Sequence, residues 1–106
     1  MRTEVTLHRD CEPSYEAWRH AMSRECRGQA VTVKMLTREL REQLSAHSGK
    51  PAGAKRQGGR RGGDELWAWL FTPRTTVHYV IRDRKGFLRL TRRRVILLRI
   101  ELRPAD

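Results

Sequence analysis

The sequence predicts an α+β domain of order β-α-α-β-β-β(-β), with a helical hairpin packed on a twisted antiparallel sheet. Two changes of pattern carry this prediction. Between Tyr15 and Leu44 the apolar residues recur at helical spacing, and from Glu65 onward they alternate with a period of two. Between the two regimes lies a glycine- and arginine-rich segment, residues 50–63.

The elements follow in order. Thr3–His8 is rich in strand formers, with Val5 and Leu7 on one face, and reads as a short first strand. Cys11-Glu12-Pro13-Ser14 is a helix start: proline is tolerated in the first turn, and Glu12 and Glu16 suit the positive end of the helix dipole. Tyr15, Trp18 and Met22 then mark one apolar face, and Gly28 is the natural stop. Val33, Leu36, Leu40 and Leu44 stripe a second helix, with Thr32 as its cap and Gly49 able to take a left-handed conformation at its end. A short link between two helices predicts an antiparallel hairpin.

Residues 50–63 hold no large apolar side chain and read as a flexible basic connector within a single 1–106 domain. In the second half, Trp67, Trp69 and Phe71 share one strand face. Thr72–Thr75 is a turn, Val77, Tyr79 and Ile81 alternate on the next strand, and Asp83–Gly86 is a second turn. A short strand is expected at Phe87–Thr91. The last strand, Arg94–Arg103, should turn Ile96, Leu98, Ile100 and Leu102 toward the helices.

Charge is the second source of information. The chain carries 23 Lys and Arg against 12 Asp and Glu, net +11. Residues 1–47 are nearly neutral at +1, while residues 48–63 and 64–106 hold +5 each. A one-sided field of this kind attracts polyanions, so RNA or DNA is the expected partner, with a basic surface matched to an acidic protein as the other reading. No apolar run approaches the length of a membrane span, and Met1–Glu4 carries no apolar leader, so no membrane partner and a reducing, cytoplasmic location are the expectation. Cys11 and Cys26 with four scattered histidines make no zinc spacing, and the connector has no phosphate-loop signature, so neither a metal nor a cofactor is expected.

Three stretches resemble a known family: the leucine-striped helix Val33–Leu44, the Gly-Lys-Pro start of the connector at Gly49–Pro51, and the hairpin Leu66-Trp67-Ala68-Trp69-Leu70-Phe71 followed by Val77-His78-Tyr79-Val80-Ile81-Arg82-Asp83. Together with the element order they resemble the RelE/ParE superfamily of bacterial toxins, in particular its HigB-like branch. The chain departs from that pattern in its long connector, in the run Arg92-Arg93-Arg94, and in a C-terminal Arg103-Pro104-Ala105-Asp106 without the tyrosine or histidine many nuclease members carry.

The resemblance implies a metal-independent endoribonuclease acting on mRNA, commonly on the ribosome, or gyrase inhibition in the ParE branch, and an acidic antitoxin as partner. In such cleavage the RNA 2′-hydroxyl attacks its own phosphate and leaves a 2′,3′-cyclic end. Protons must be moved and the phosphorane charge stabilised. On this reading His78, Arg74 and Arg103 are the catalytic candidates. Lys55, Arg56, Arg60, Arg61, Arg92, Arg93, Arg94 and Arg99 are the candidates for binding nucleic acid. The alternative is a non-enzymatic basic module that binds nucleic acid or a nucleoprotein, or a protein-directed inhibitor. In the binding module Trp67, Trp69 and Phe71 have two uses open to them, core packing or a base-stacking platform.

Overall fold

The computed structural model describes residues 2–61, 64–85 and 91–104. Strand β1 (Arg2–Leu7) leads through a single 3-10 turn (Arg9–Cys11) into α1 (Glu12–Glu25), and α2 (Val33–Ala46) follows. Four strands complete the chain: β2 (Lys55–Arg61), β3 (Asp64–Thr72), β4 (Thr75–Lys85) and β5 (Thr91–Leu102). They form one five-stranded sheet in the order β1-β5-β4-β3-β2. Both helices pack on the same face of it. Among the described residues no helix is long and apolar enough to cross a membrane.

Strands β2 to β5 are antiparallel, and β1 joins β5 in parallel, so the sheet is mixed rather than wholly antiparallel. A parallel neighbour requires a crossover connection, which the helical hairpin begins. Both helix boundaries have the expected chemistry. The Thr32 hydroxyl accepts from the Met35 amide and caps α2. Gly49 adopts φ +81° and donates its amide to the Leu44 carbonyl at 2.7 Å, closing the helix.

The connector is not without structure, because Lys55–Arg61 forms the edge strand β2 beside β3. The unpaired backbone edge of β3 supplies the donors and acceptors, and hairpin geometry does the rest, so no apolar pattern is needed. The pairing is irregular between Arg56 and Arg60, which suits an edge rich in glycine and positive charge. The turn expected at Asp83–Gly86 does not begin at Asp83. β4 runs on to Lys85, with Arg82, Asp83, Arg84 and Lys85 opposite Arg94, Arg93, Arg92 and Thr91. Gly86, and all of the strand expected at Phe87–Thr91 except Thr91, lie outside the described residues; Thr91 itself opens β5.

The core lies between helices and sheet. Trp18 and Met22 of α1 and Leu40 and Leu44 of α2 meet Trp69, Val77, Tyr79, Val95, Leu97 and Ile100. The face of β5 differs from the strict alternation expected. Tyr79 stands opposite Leu97 and His78 opposite Arg99, so Leu98 is an extra residue, a β-bulge. The bulge reverses the alternation. Val95 and Leu97 face the helices before it and Ile100 and Leu102 after it, while Ile96 turns to the other side. Beyond Leu97 the strand has lost its neighbour β1, and the Ser14 hydroxyl accepts from the Ile100 amide at 3.0 Å in its place.

Candidate nucleic-acid interface

The sheet has a second face, away from the helices. The registers place Leu66, Ala68 and Leu70 of β3 there, with Thr76, His78, Val80, Arg82 and Arg84 of β4 and Arg92, Arg94, Ile96, Arg99 and Glu101 of β5. Glu4 and Thr6 of β1 and Lys55 of β2 extend it at the two edges. Val80 and Ile96 in the centre are buried although no helix covers them, and Leu70 is exposed at one end. The long stems of Arg82 and Arg94, which stand beside this centre in the register, suit such a surface by covering apolar area while their heads stay in water.

At one end of this face the arginines gather. Arg82 stands opposite Arg94 and Arg84 opposite Arg92. Arg82 forks onto Asp64 with bonds of 2.7 and 3.2 Å, and this hydrogen-bonded carboxylate raises the guanidinium's pKa still further. Arg94 reaches Glu4 at 4.0 Å. In the β2–β3 register Arg60 and Arg61 stand opposite Glu65 and Asp64, at this same end.

Toward the Leu70 end of the face His78 Nε2 lies 3.1 Å from a Glu101 carboxylate oxygen, and Arg99 approaches the same oxygen at 3.1 Å. The hydrogen bonds from His78 and from Arg99 hold Glu101 below the usual carboxylate range. A histidine, a carboxylate and an arginine thus share one contact network, partly open to solvent.

The remaining candidates are placed elsewhere. Arg74 sits at the β3–β4 turn, donates from Nε to the Arg103 carbonyl at 2.9 Å and pairs with Glu25 at the end of α1. The Arg103 amide donates back to the Arg74 carbonyl at 2.6 Å. The pair ties the C-terminal segment to the turn, and among the described residues no hydrogen bond or ion pair joins it to His78. Strand alternation splits the Arg92–Arg94 run. Arg93 turns to the helix side, holds Asp83 through two bonds of 2.7 and 2.8 Å and donates to the Ser48 carbonyl at 3.0 Å. Arg56 pairs with Glu65 at 3.2 Å.

The aromatic strip of β3 faces the helices. Trp69 is buried, its ring 5.1 Å from that of Phe71, which in turn lies 6.4 Å from Trp18. Trp67 packs against the same core and has the Lys50 ammonium over its ring at 5.4 Å. Core packing, not a base-stacking platform, is their use. Among the described residues no three His, Cys, Asp or Glu side chains converge as a metal-binding cluster. Comparison of the chain with protein families, curated proteins and solved structures gives no match.

Two arginines of this face, Arg82 and Arg84, were not among the residues singled out from the sequence. The signal was present as parity: 80, 82 and 84 alternate with the buried Tyr79 and the partly buried Ile81, and 92, 94 and 96 fall on the same face across the ladder. Reading Asp83–Gly86 as a turn hid it.

Proposed function

We propose that the chain binds nucleic acid through the helix-free face of its sheet, gripping the phosphate backbone. One observation carries this reading. Strand alternation brings Arg82, Arg84, Arg92, Arg94 and Arg99 of the second half onto one surface beside Lys55, where these six outnumber Glu4, Asp64 and Glu101. Phosphate contacts from such a surface release counterions, and affinity then falls steeply with salt. Arginine suits this task better than lysine because its planar fork binds a phosphate bidentately. The test is fluorescence anisotropy with labelled RNA and DNA between about 50 and 200 mM salt. A steep salt slope supports the reading, and no binding at the lower salt removes it.

A second reading has its own observation. The His78–Glu101–Arg99 network places proton-transfer groups beside a cation on that same face. These are the groups that 2′-hydroxyl attack on an RNA phosphate needs, in keeping with a RelE/ParE-like endoribonuclease. Here Arg99 and Glu101 join His78 in place of Arg74 and Arg103. Incubation with mRNA, with and without ribosomes, decides it. Cleavage leaving 2′,3′-cyclic ends, lost in His78→Ala and retained in Arg74→Ala, supports catalysis; binding without cleavage under both conditions leaves the binding module alone.

A further inference from the structure

Two pairs of arginines oppose each other directly across β4 and β5, Arg82 with Arg94 and Arg84 with Arg92. Like charges in that relation destabilise an antiparallel ladder. Asp64 and Glu4 relieve the first pair. Among the described residues Arg84 and Arg92 have no ion pair or side-chain hydrogen bond, and both are exposed. Neighbouring strands lie about 4.8 Å apart and alternate residues about 6.8 Å apart along a strand. The four side chains therefore rise from a small two-by-two grid, close enough for guanidinium forks from both strands to engage neighbouring phosphate oxygens.

A second observation concerns what shares that face. Among the described residues no Phe, Tyr or Trp ring is on it, since Trp67, Trp69, Phe71 and Tyr79 all belong to the helix side. Proteins that hold single strands stack the bases on aromatic rings. A duplex keeps its bases stacked within and presents a dense row of phosphates outside. We propose that Arg82, Arg84, Arg92 and Arg94 form a clamp for the phosphate backbone of a nucleic-acid duplex, blind to base sequence. This rests on the nucleic-acid reading above and adds the strandedness and the residues. Arg84 and Arg92 are the members left free to bind, and the ligand removes the repulsion between them.

The test uses the full chain and labelled probes of matched length: a DNA duplex, an RNA duplex and the single strands of each. Each duplex should bind more tightly than its own single strands, with unrelated sequences alike, and the two duplex arms identify which nucleic acid is the better ligand. Arg84→Ala/Arg92→Ala should lower the salt slope by about 1.8 and weaken duplex binding more than about tenfold at low salt. Its melting temperature should equal or exceed the parent's, because an opposed like-charge pair is gone. Arg84→Lys/Arg92→Lys retains both charges and should restore the slope. Single strands bound as tightly as duplexes, or an alanine variant that binds like the parent, would overturn the clamp while leaving the nucleic-acid reading standing. No binding by any probe overturns the reading beneath it.

Discussion

Asp83, opposite Arg93 on the helix side of the sheet, shows how a charged residue can serve stability. Its carboxylate accepts two bonds from Arg93, which anchors at the same time to the Ser48 carbonyl at the end of α2. The hydrogen bonds from Arg93 depress the pKa of Asp83. A depressed folded-state pKa means stability that is present above the unfolded value of about 3.9 and is lost as the pH falls through the lower folded value. Asp83→Asn should therefore lower the melting temperature at pH 7, by an amount equivalent to about 1 kcal/mol or less given the exposure of the carboxylate. The difference from the parent should shrink as the pH is taken below about 4. A difference that persists unchanged in acid would assign the loss to packing instead. Gly49, three positions beyond the last residue of α2, is the more severe residue. Its φ is +81°, and an added Cβ would lie 2.9 Å from both Ile81 Cδ1 and Val95 Cγ2. Gly49→Ala combines left-handed strain with overpacking, and a loss of about 2–4 kcal/mol in urea unfolding is expected.

The elements differ in how plainly the sequence announces them. Both helices are legible because their apolar stripes, the Thr32 cap and the Gly49 stop are local and agree with one another. Strands β3 and β4 are legible through alternation, and so is the turn between them. β2 is not, because its pairing is supplied by the edge of β3 and leaves no periodic trace in Lys-Arg-Gln-Gly-Gly-Arg-Arg. The facing of β5 is half legible. The run Ile96, Leu98, Ile100, Leu102 alternates perfectly, but the bulge at Leu98 interrupts the geometry that alternation assumes. The candidate site suffers from the same cause: the parity that gathers Arg82, Arg84, Arg92 and Arg94 is readable only once β4 is known to continue past Asp83. The bulge makes a direct prediction. Leu97 is fully buried against the helices, whereas Leu98 is only half-buried. Leu97→Ala and Leu40→Ala should each cost about 2–5 kcal/mol, and Leu98→Ala clearly less. Equal costs for Leu97 and Leu98, measured by denaturant unfolding, would place the register shift elsewhere.

At the scale of the whole molecule, the division of labour is between two faces of one sheet. The helix side buries the aromatic residues and most of the core, and the opposite side carries the exposed arginines. This separation predicts that binding and stability respond to different substitutions. Replacing Lys55, Arg56, Arg60 and Arg61 together by alanine removes four charges from an edge strand whose one described ion pair, Arg56–Glu65, is exposed. Stability should change by about 1 kcal/mol or less. Nucleic-acid affinity should fall alike for all sequences, and the salt slope should flatten by up to about 3.6 if each charge meets a phosphate of a duplex. The kinetics carry the further distinction. Charges that act through the long-range field change the association rate and its salt dependence, whereas groups in direct contact change dissociation. The edge-strand variant should slow association, and loss of Arg84 and Arg92 should speed dissociation. Stopped-flow measurements on both variants would separate the two. If the edge-strand variant instead dissociates faster with an unchanged association rate, β2 belongs to the contact surface itself, and the interface runs from the β4–β5 ladder to the outer edge of the sheet.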